Sequence, residues 1–199
     1  VRNVTAKRDT VAARRAAGDP HERTRRRQVI VEAAVRAIEE YGPDAGLATV
    51  ADEARLPRPH VYRHFTGRDD LDRAVAGHVV RLLSTWIRPP EPAPATPYEV
   101  VHAMIGRVLG WAVDHPNLYR FRARQGPAQV VPELTGAAVA GLRAAGYRAD
   151  LPAYLVAGVV GMVDAGVIWW FDHQEEVSLS QLNDWLATQV WRVLAEAVE

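Results

Sequence analysis

Residues 58–65 read Arg58-Pro59-His60-Val61-Tyr62-Arg63-His64-Phe65. Two histidines stand four apart, arginines occupy positions 58 and 63, and Val61 and Phe65 repeat at the same four-residue spacing. Positions i and i+4 share a face of a helix, so Val61 and Phe65 are expected to pack inward. Arg58, His60, Tyr62, Arg63 and His64 are then spread over the outer faces. Arg58 precedes a proline and is pushed away from helical angles, whereas Pro59 suits a first helical position. A helix of about two turns, capped at Arg58, is expected.

The flanking sequence decides what this short helix belongs to. Leu47 to Arg55 carries Val50, Ala51 and Ala54 on one side, and only Leu56-Pro57 separates it from the helix above. Upstream, Asp19-Pro20-His21-Glu22 supplies a cap, a proline and an acid at the right offsets to open a helix. Its apolar face is Ile30, Ala33, Ala34, Ala37, Ile38 and Tyr41, and Gly42-Pro43 ends it. Downstream, Thr66-Gly67-Arg68-Asp69 offers the next cap, and Leu71, Val75, Val79, Leu82 and Trp86 form a stripe reaching Ile87. Two short helices joined by a tight turn between longer ones describe a helix-turn-helix, whose second helix enters the major groove of DNA. Arginine can grip guanine or phosphate there, and tyrosine and histidine can donate to phosphate.

The 199-residue chain has 48% hydrophobic residues and no cysteine, which removes disulfides, thiolate metal sites and cysteine nucleophiles. With no basic-then-apolar leader, a cytoplasmic protein is expected. The formal net charge is zero but divided: residues 1–90 hold 17 Lys+Arg against 12 Asp+Glu, and residues 91–199 hold 7 against 12. A cationic first part fits an anionic partner. Residues 1–19 read as a flexible basic arm, residues 20–67 as the DNA-binding domain and residues 68–87 as a connecting helix. Residues 88–97, with five prolines, form a linker, and residues 98–199 a second helical domain. Thr96-Pro97-Tyr98-Glu99 opens a helix to about Asp114; further helices are expected at Pro116 to Arg124, Pro132 to Ala145, Pro152 to His173 and Ser178 to the end. No alternating strand pattern occurs, so the expected fold is all-α. Leu151 to Phe171 has one charge in 21 residues, long enough for a membrane span. Pro152, Asp164 and the acids that follow argue instead for a core helix that also forms a subunit contact, with Gly158, Gly161, Ala165 and Gly166 allowing close approach.

From Ile30 to Leu71 the chain resembles TetR-type repressors position by position: IVEAAVRAIEEYG as the first helix, TVADEARL as the second, PRPHVYRHFTGRDDL as the recognition helix and the start of the fourth. The resemblance implies a homodimer with an amino-terminal DNA-binding domain and a carboxy-terminal domain for ligand and dimer contacts. It places Thr49 and Tyr62 on phosphates, Arg58 and His60 on base edges or phosphates, Arg68 facing the DNA backbone, and Arg63 and His64 beside them. The family usually has glycine at the place of Arg55, a serine or threonine cap at that of Pro57 and a small residue at that of Pro59. Arg55 would need a left-handed conformation costing roughly 1 kcal/mol, or a different turn.

The family also implies an inducer cavity among the later helices. An apolar or aromatic effector contacted by His102, Trp111, Tyr119, Met162 and Trp169 is expected, with Asp164 or His102 as the polar anchor. Asp164 could equally be hydrogen-bonded at a dimer seam. A symmetric dimer presents two recognition helices to major grooves about 34 Å apart, so the double-stranded operator should be palindromic. No cofactor and no metal are expected: His60 and His64 lack the glutamate or thiols that a zinc site at this spacing uses. The contrasting classes are a DNA-independent helical binder of a hydrophobic ligand, and an enzyme, for which neither a Gly-x-Ser-x-Gly nor a phosphate loop is present.

Overall fold

Proline and glycine bound the first helix. The computed structural model describes residues 20–87, 94–128, 130–148 and 150–197; the basic arm, the cap at Asp19 and most of the proline linker lie outside them. Helix α1 spans Pro20–Tyr41 and buries Ile30, Val31, Ala33, Ala34, Ala37 and Ile38. Gly42, at φ +98, ends it and donates to the Ile38 carbonyl at 2.9 Å; glycine takes that angle without a side-chain clash. Tyr41, expected on the buried face, is exposed.

Helices α2 (Leu47–Glu53), α3 (Arg58–His64) and α4 (Arg68–Trp86) all pack against α1. The buried face of α4 begins at Leu71, Val75 and Val79 as expected but continues through Val80, Leu83 and Ile87, leaving Leu82 and Trp86 exposed. The partners change along the helix: α1 lies against it, and so do α5 (Pro97–Asp114), α6 (Pro116–Arg124) and α7 (Val131–Ala144). The face to be covered rotates accordingly.

Thr96 and Glu99 close a reciprocal cap on α5, at 3.2 and 3.0 Å, and Ser178 and Gln181 do the same for α9 (Leu179–Leu194). Helix α8 (Ala153–Trp170) buries Val156, Val160, Val163, Val167 and Trp170 against α7 and α9. At Gly166 a β-carbon would stand 3.2 Å from Leu186 Cδ2, so glycine sets how closely α8 and α9 approach. By length and composition α8 is the one helix among the described residues that could cross a membrane. The buried side chains form one continuous cluster from Ile30 to Leu194. Among the described residues the fold is all-α, with nine α-helices, a short 3-10 turn at Ala195–Ala197 and no strand.

Candidate nucleic-acid interface and effector cavity

The turn between α2 and α3 is made by the residue least suited to it. Arg55 sits at φ +53. Its N–H donates to Asp52 O at 3.0 Å and the Leu56 N–H to Ala51 O at 2.9 Å, the paired bonds that end a helix through a left-handed residue. Leu56 is thereby turned toward the core and α3 can start at once. It starts one residue earlier than its sequence suggests: Pro57 is the cap, and its carbonyl accepts the His60 N–H at 2.8 Å. The first N–H groups of a helix need no partner within it, so Pro59 in the second position loses nothing.

Val61 (1% exposed) and Phe65 (4%) anchor α3 from below. Arg58, Tyr62 (59% exposed) and Arg63 project outward, while His60 and Thr49 are half-buried. His64 is half-buried too, with a buried Nδ1 that finds no partner. Burial first, then Arg26, Arg23, His60 and Arg27, lower its pKa, which keeps the ring neutral at pH 7. Arg68 is engaged within the protein: its Nε lies 2.7 Å from Asp72 Oδ1 and its Nη1 donates to Ala45 O at 2.9 Å.

The far end of α3 is held by Arg27, a residue the sequence reading did not single out. Its guanidinium lies 4.0 Å over the Phe65 ring, donates to the His64 carbonyl at 2.6 Å and forks onto Asp70 at 2.6 and 3.3 Å. Asp70 also accepts the Thr66 N–H at 3.0 Å. One cation thus ties α1 to the last turn of α3 and the first of α4. Nothing local distinguishes Arg27 from its arginine neighbours, since its partners lie 37 and 43 residues away.

The second site is a cavity of about 90 Å³ among α4 to α9, walled by side chains such as Leu83, Met104, Val108 and Val160. Of the six residues expected around an effector, Tyr119 and Asp164 line it. His102 lies instead between α5 and α9, 2.8 Å from Asp184 Oδ1. Trp111 is buried against His115 and Tyr119 at ring separations of 5.0 and 6.3 Å. Met162 is half-buried outside the lining, and Trp169 is exposed, stacked on His173 at 4.0 Å in a groove shared with Trp185.

Asp164 finds its partners within the chain. Arg122, 2% exposed, grips both of its oxygens through Nη1, at 2.8 Å, and Nη2, and the Tyr119 hydroxyl donates to it at 2.8 Å. Burial works against the Arg122 charge, but the hydrogen bonds and field of Asp164 raise its pKa. A lone acid in an apolar run needs such a partner. Tyr119 and Arg122 sit three apart in α6, and the same segment also grips the end of α1 and the loop after it: His115, the cap of α6, places Nδ1 2.9 Å from Glu39 Oε1, Asn117 donates to Glu39 O at 2.9 Å, and Arg124 pairs with Asp44 at 2.7 Å.

A family model described as bacterial regulatory proteins, tetR family, matches residues 30–75, which span α1 to α4 and contain the anchored α3. Solved structures agree along most of the chain. A tetR-family transcriptional regulator from Streptomyces coelicolor superposes with a TM-score of 0.63 at 19% identity, over 87% of this chain and 82% of its own. RolR in complex with resorcinol gives 0.61 at 14%, over 88% and 90%. FadR from Bacillus subtilis in complex with stearoyl-CoA gives 0.53 at 18%, over 82% and 96%. No curated protein matches the sequence. Residues 30–75, the helix-turn-helix segment, are thus similar to the tetR family of bacterial regulatory proteins, and the fold of the chain is that of the solved tetR-family structures.

Proposed function

We propose that the protein is a ligand-responsive repressor that binds a palindromic operator as a homodimer in the cytoplasm and is released by an apolar small molecule. The observation that carries this reading is the exterior of α3: Arg58, Tyr62 and Arg63 face solvent while Val61 and Phe65 fix the helix from beneath. Arg58 and His60 reach base edges or phosphates, Thr49 and Tyr62 hold phosphates, and Arg63 and His64 flank them. Arg68 acts at the margin, bracing the start of α4 beside the DNA backbone. Residues 20–67 are the reading head, 68–87 the connecting helix, and 98–199 the effector and dimer domain.

Two further observations support the reading. One face of α8 exposes Tyr154, Gly158, Gly161, Ala165 and Trp169 next to Trp185 of α9. Such an apolar face with a small-residue centre suits a second copy packed across a twofold axis. The cavity beneath α4 and α6 suits the effector, and the ligands carried by RolR and FadR are consistent with such a site. Effector binding must favour the arrangement that does not fit DNA if it is to release the operator. Helix α6 is placed to carry that preference, because it lines the cavity with Tyr119 and Arg122 and holds the end of α1 with His115 and Asn117.

The test is selection of bound sequences from random duplex DNA with purified protein. A palindrome with half-sites one helical turn apart is expected, and Arg58→Ala or Tyr62→Ala should weaken binding to it by about tenfold or more without unfolding the chain. Recovery of no enriched sequence, or variants that bind as well as the parent, would overturn the assignment.

A further inference from the structure

The cavity among α4 to α9 is bordered at one end by Tyr119, Arg122 and Asp164, yet these three turn their polar atoms to one another. Arg122 gives both Nη atoms to the two Asp164 oxygens, and the Tyr119 hydroxyl donates to Asp164 as well. Tyr119 has no exposed surface, Arg122 has 2%, and the remaining Arg122 donor, Nε, is buried beyond the reach of water. The ion pair therefore stands behind the wall and not on it. What faces the space is almost wholly carbon, supplied by side chains such as Leu83 of α4, Met104 of α5, Leu134 of α7 and Val160 of α8.

A wall of this kind discriminates by what it withholds. A carbonyl or hydroxyl carried into the space leaves its water and meets no partner, and a polar group desolvated without compensation is penalised. A carboxylate or ammonium is penalised most, because its charge is stripped of water as well. A molecule with no hydrogen-bonding group loses nothing on entry and gains contact with the carbon walls. Size sets a second limit. The volume of about 90 Å³ is below the ~150 Å³ of a dry cavity that takes up benzene, which leaves room for no more than a small ring or a short branched chain.

Resting on the reading of this cavity as the effector site, we propose that its ligand is a compact hydrocarbon without any hydrogen-bonding group, held by shape and dispersion alone, so that even one carbonyl or hydroxyl counts against entry. Tyr119, Arg122 and Asp164 then serve to close the wall and take no part in gripping the ligand. The flexible side chain of Met104 lets the space adapt to the outline of the hydrocarbon. Leu83 and Ile87 bring α4 into the same wall, so occupancy bears directly on the helix that leads to the reading head.

The test varies the ligand, so the protein remains intact. Methylenecyclopentane, its oxygen isostere cyclopentanone, cyclopentanol and the anion cyclobutanecarboxylate are titrated into the full chain by ligand-observed NMR, with thermal stabilisation as a second readout. Methylenecyclopentane should bind at least about tenfold tighter than the ketone or the alcohol, the scale on which an unpaired polar group is penalised, and cyclobutanecarboxylate should be the weakest. Equal or tighter binding of the ketone, the alcohol or the anion would overturn the hydrocarbon assignment while leaving the cavity as a ligand site. If none of the four binds, the effector reading of the cavity falls with the proposal. Ala138→Phe, which fills the cavity from α7, should abolish methylenecyclopentane binding at unchanged helical content; undiminished binding would place the ligand elsewhere and overturn the assignment.

Discussion

Arg55 holds the helix-turn-helix in shape at a cost. A non-glycine residue at φ +53 loses roughly 1 kcal/mol to the crowding of its β-carbon, and the exposed Arg55 side chain makes no compensating burial. Arg55→Gly should therefore raise unfolding free energy by roughly 1 kcal/mol, read as a higher denaturation midpoint at unchanged slope; a variant no more stable than its parent would show that the turn is unstrained. Asp70 stores a different kind of sensitivity. The Arg27 guanidinium, then the Thr66 N–H, hold its carboxyl down to about 2, against an ordinary aspartate value of about 3.9. With the folded value below the unfolded one, the stabilisation is complete above about pH 4 and is lost as pH falls toward about 2. Asp70→Asn should flatten stability against pH in that window, and parallel profiles for parent and variant would refute the linkage.

Among the elements, α3 is too short to hold its own orientation, since a helix of two turns has little stability without tertiary support. Val61 and Phe65 fix its inner face, and Arg27 fixes its end. Arg27→Leu should increase amide exchange in α3 and the start of α4 and weaken operator binding although Arg27 acts from α1; exchange confined to α1 would reduce Arg27 to a local contact. The element boundaries were legible in the sequence because they are written locally: Thr96 with Glu99, Ser178 ahead of α9, Gly42 with Pro43. The resemblance left two alternatives at Arg55, a left-handed residue or a different turn, and the chain takes the first. The partnerships of Arg27 and Arg122 were not legible, because each spans some forty residues and depends on which of several neighbouring arginines faces inward. Only the folded chain distinguishes Arg122, buried, from Arg120 and Arg124 two positions to either side. The same helix leads to a prediction about coupling. Replacing His115 and Asn117 with alanine removes its hold on Glu39 and leaves Tyr119 and Arg122 in place. The double variant should bind effector with affinity within about threefold of the parent, as expected for sites without shared contacts, yet release operator DNA poorly on effector addition; release at parental effector concentrations would exclude α6 as the connection.

At the scale of the molecule, charge and exposed apolar surface point in different directions. The excess of cations lies in the first ninety residues and that of anions in the remainder, so DNA is attracted to one end and repelled from the other. On α8 the exposed line of Gly158, Gly161 and Ala165 between Tyr154 (78% exposed) and Trp169 (45%) carries no charge, and Trp185 of α9 (55%) extends it. A surface of that kind is rare on a monomer. A second copy set against it would bring two α3 helices to one duplex, where the second contact forms at the high effective concentration set by the first. Gly161→Arg places a long cation in the middle of this face, where a glycine β-carbon position meets open space in the single chain, so the protomer itself has room for it. Sedimentation of the variant should give a monomer with unchanged helical content, and its affinity for a two-half-site operator should fall by about a hundredfold or more, to near that for a single half-site. The salt dependence of binding should become about half as steep, because half the phosphate contacts are lost. A variant that still sediments as a dimer, or a monomer that binds both half-sites as tightly as the parent, would remove α8 from the interface.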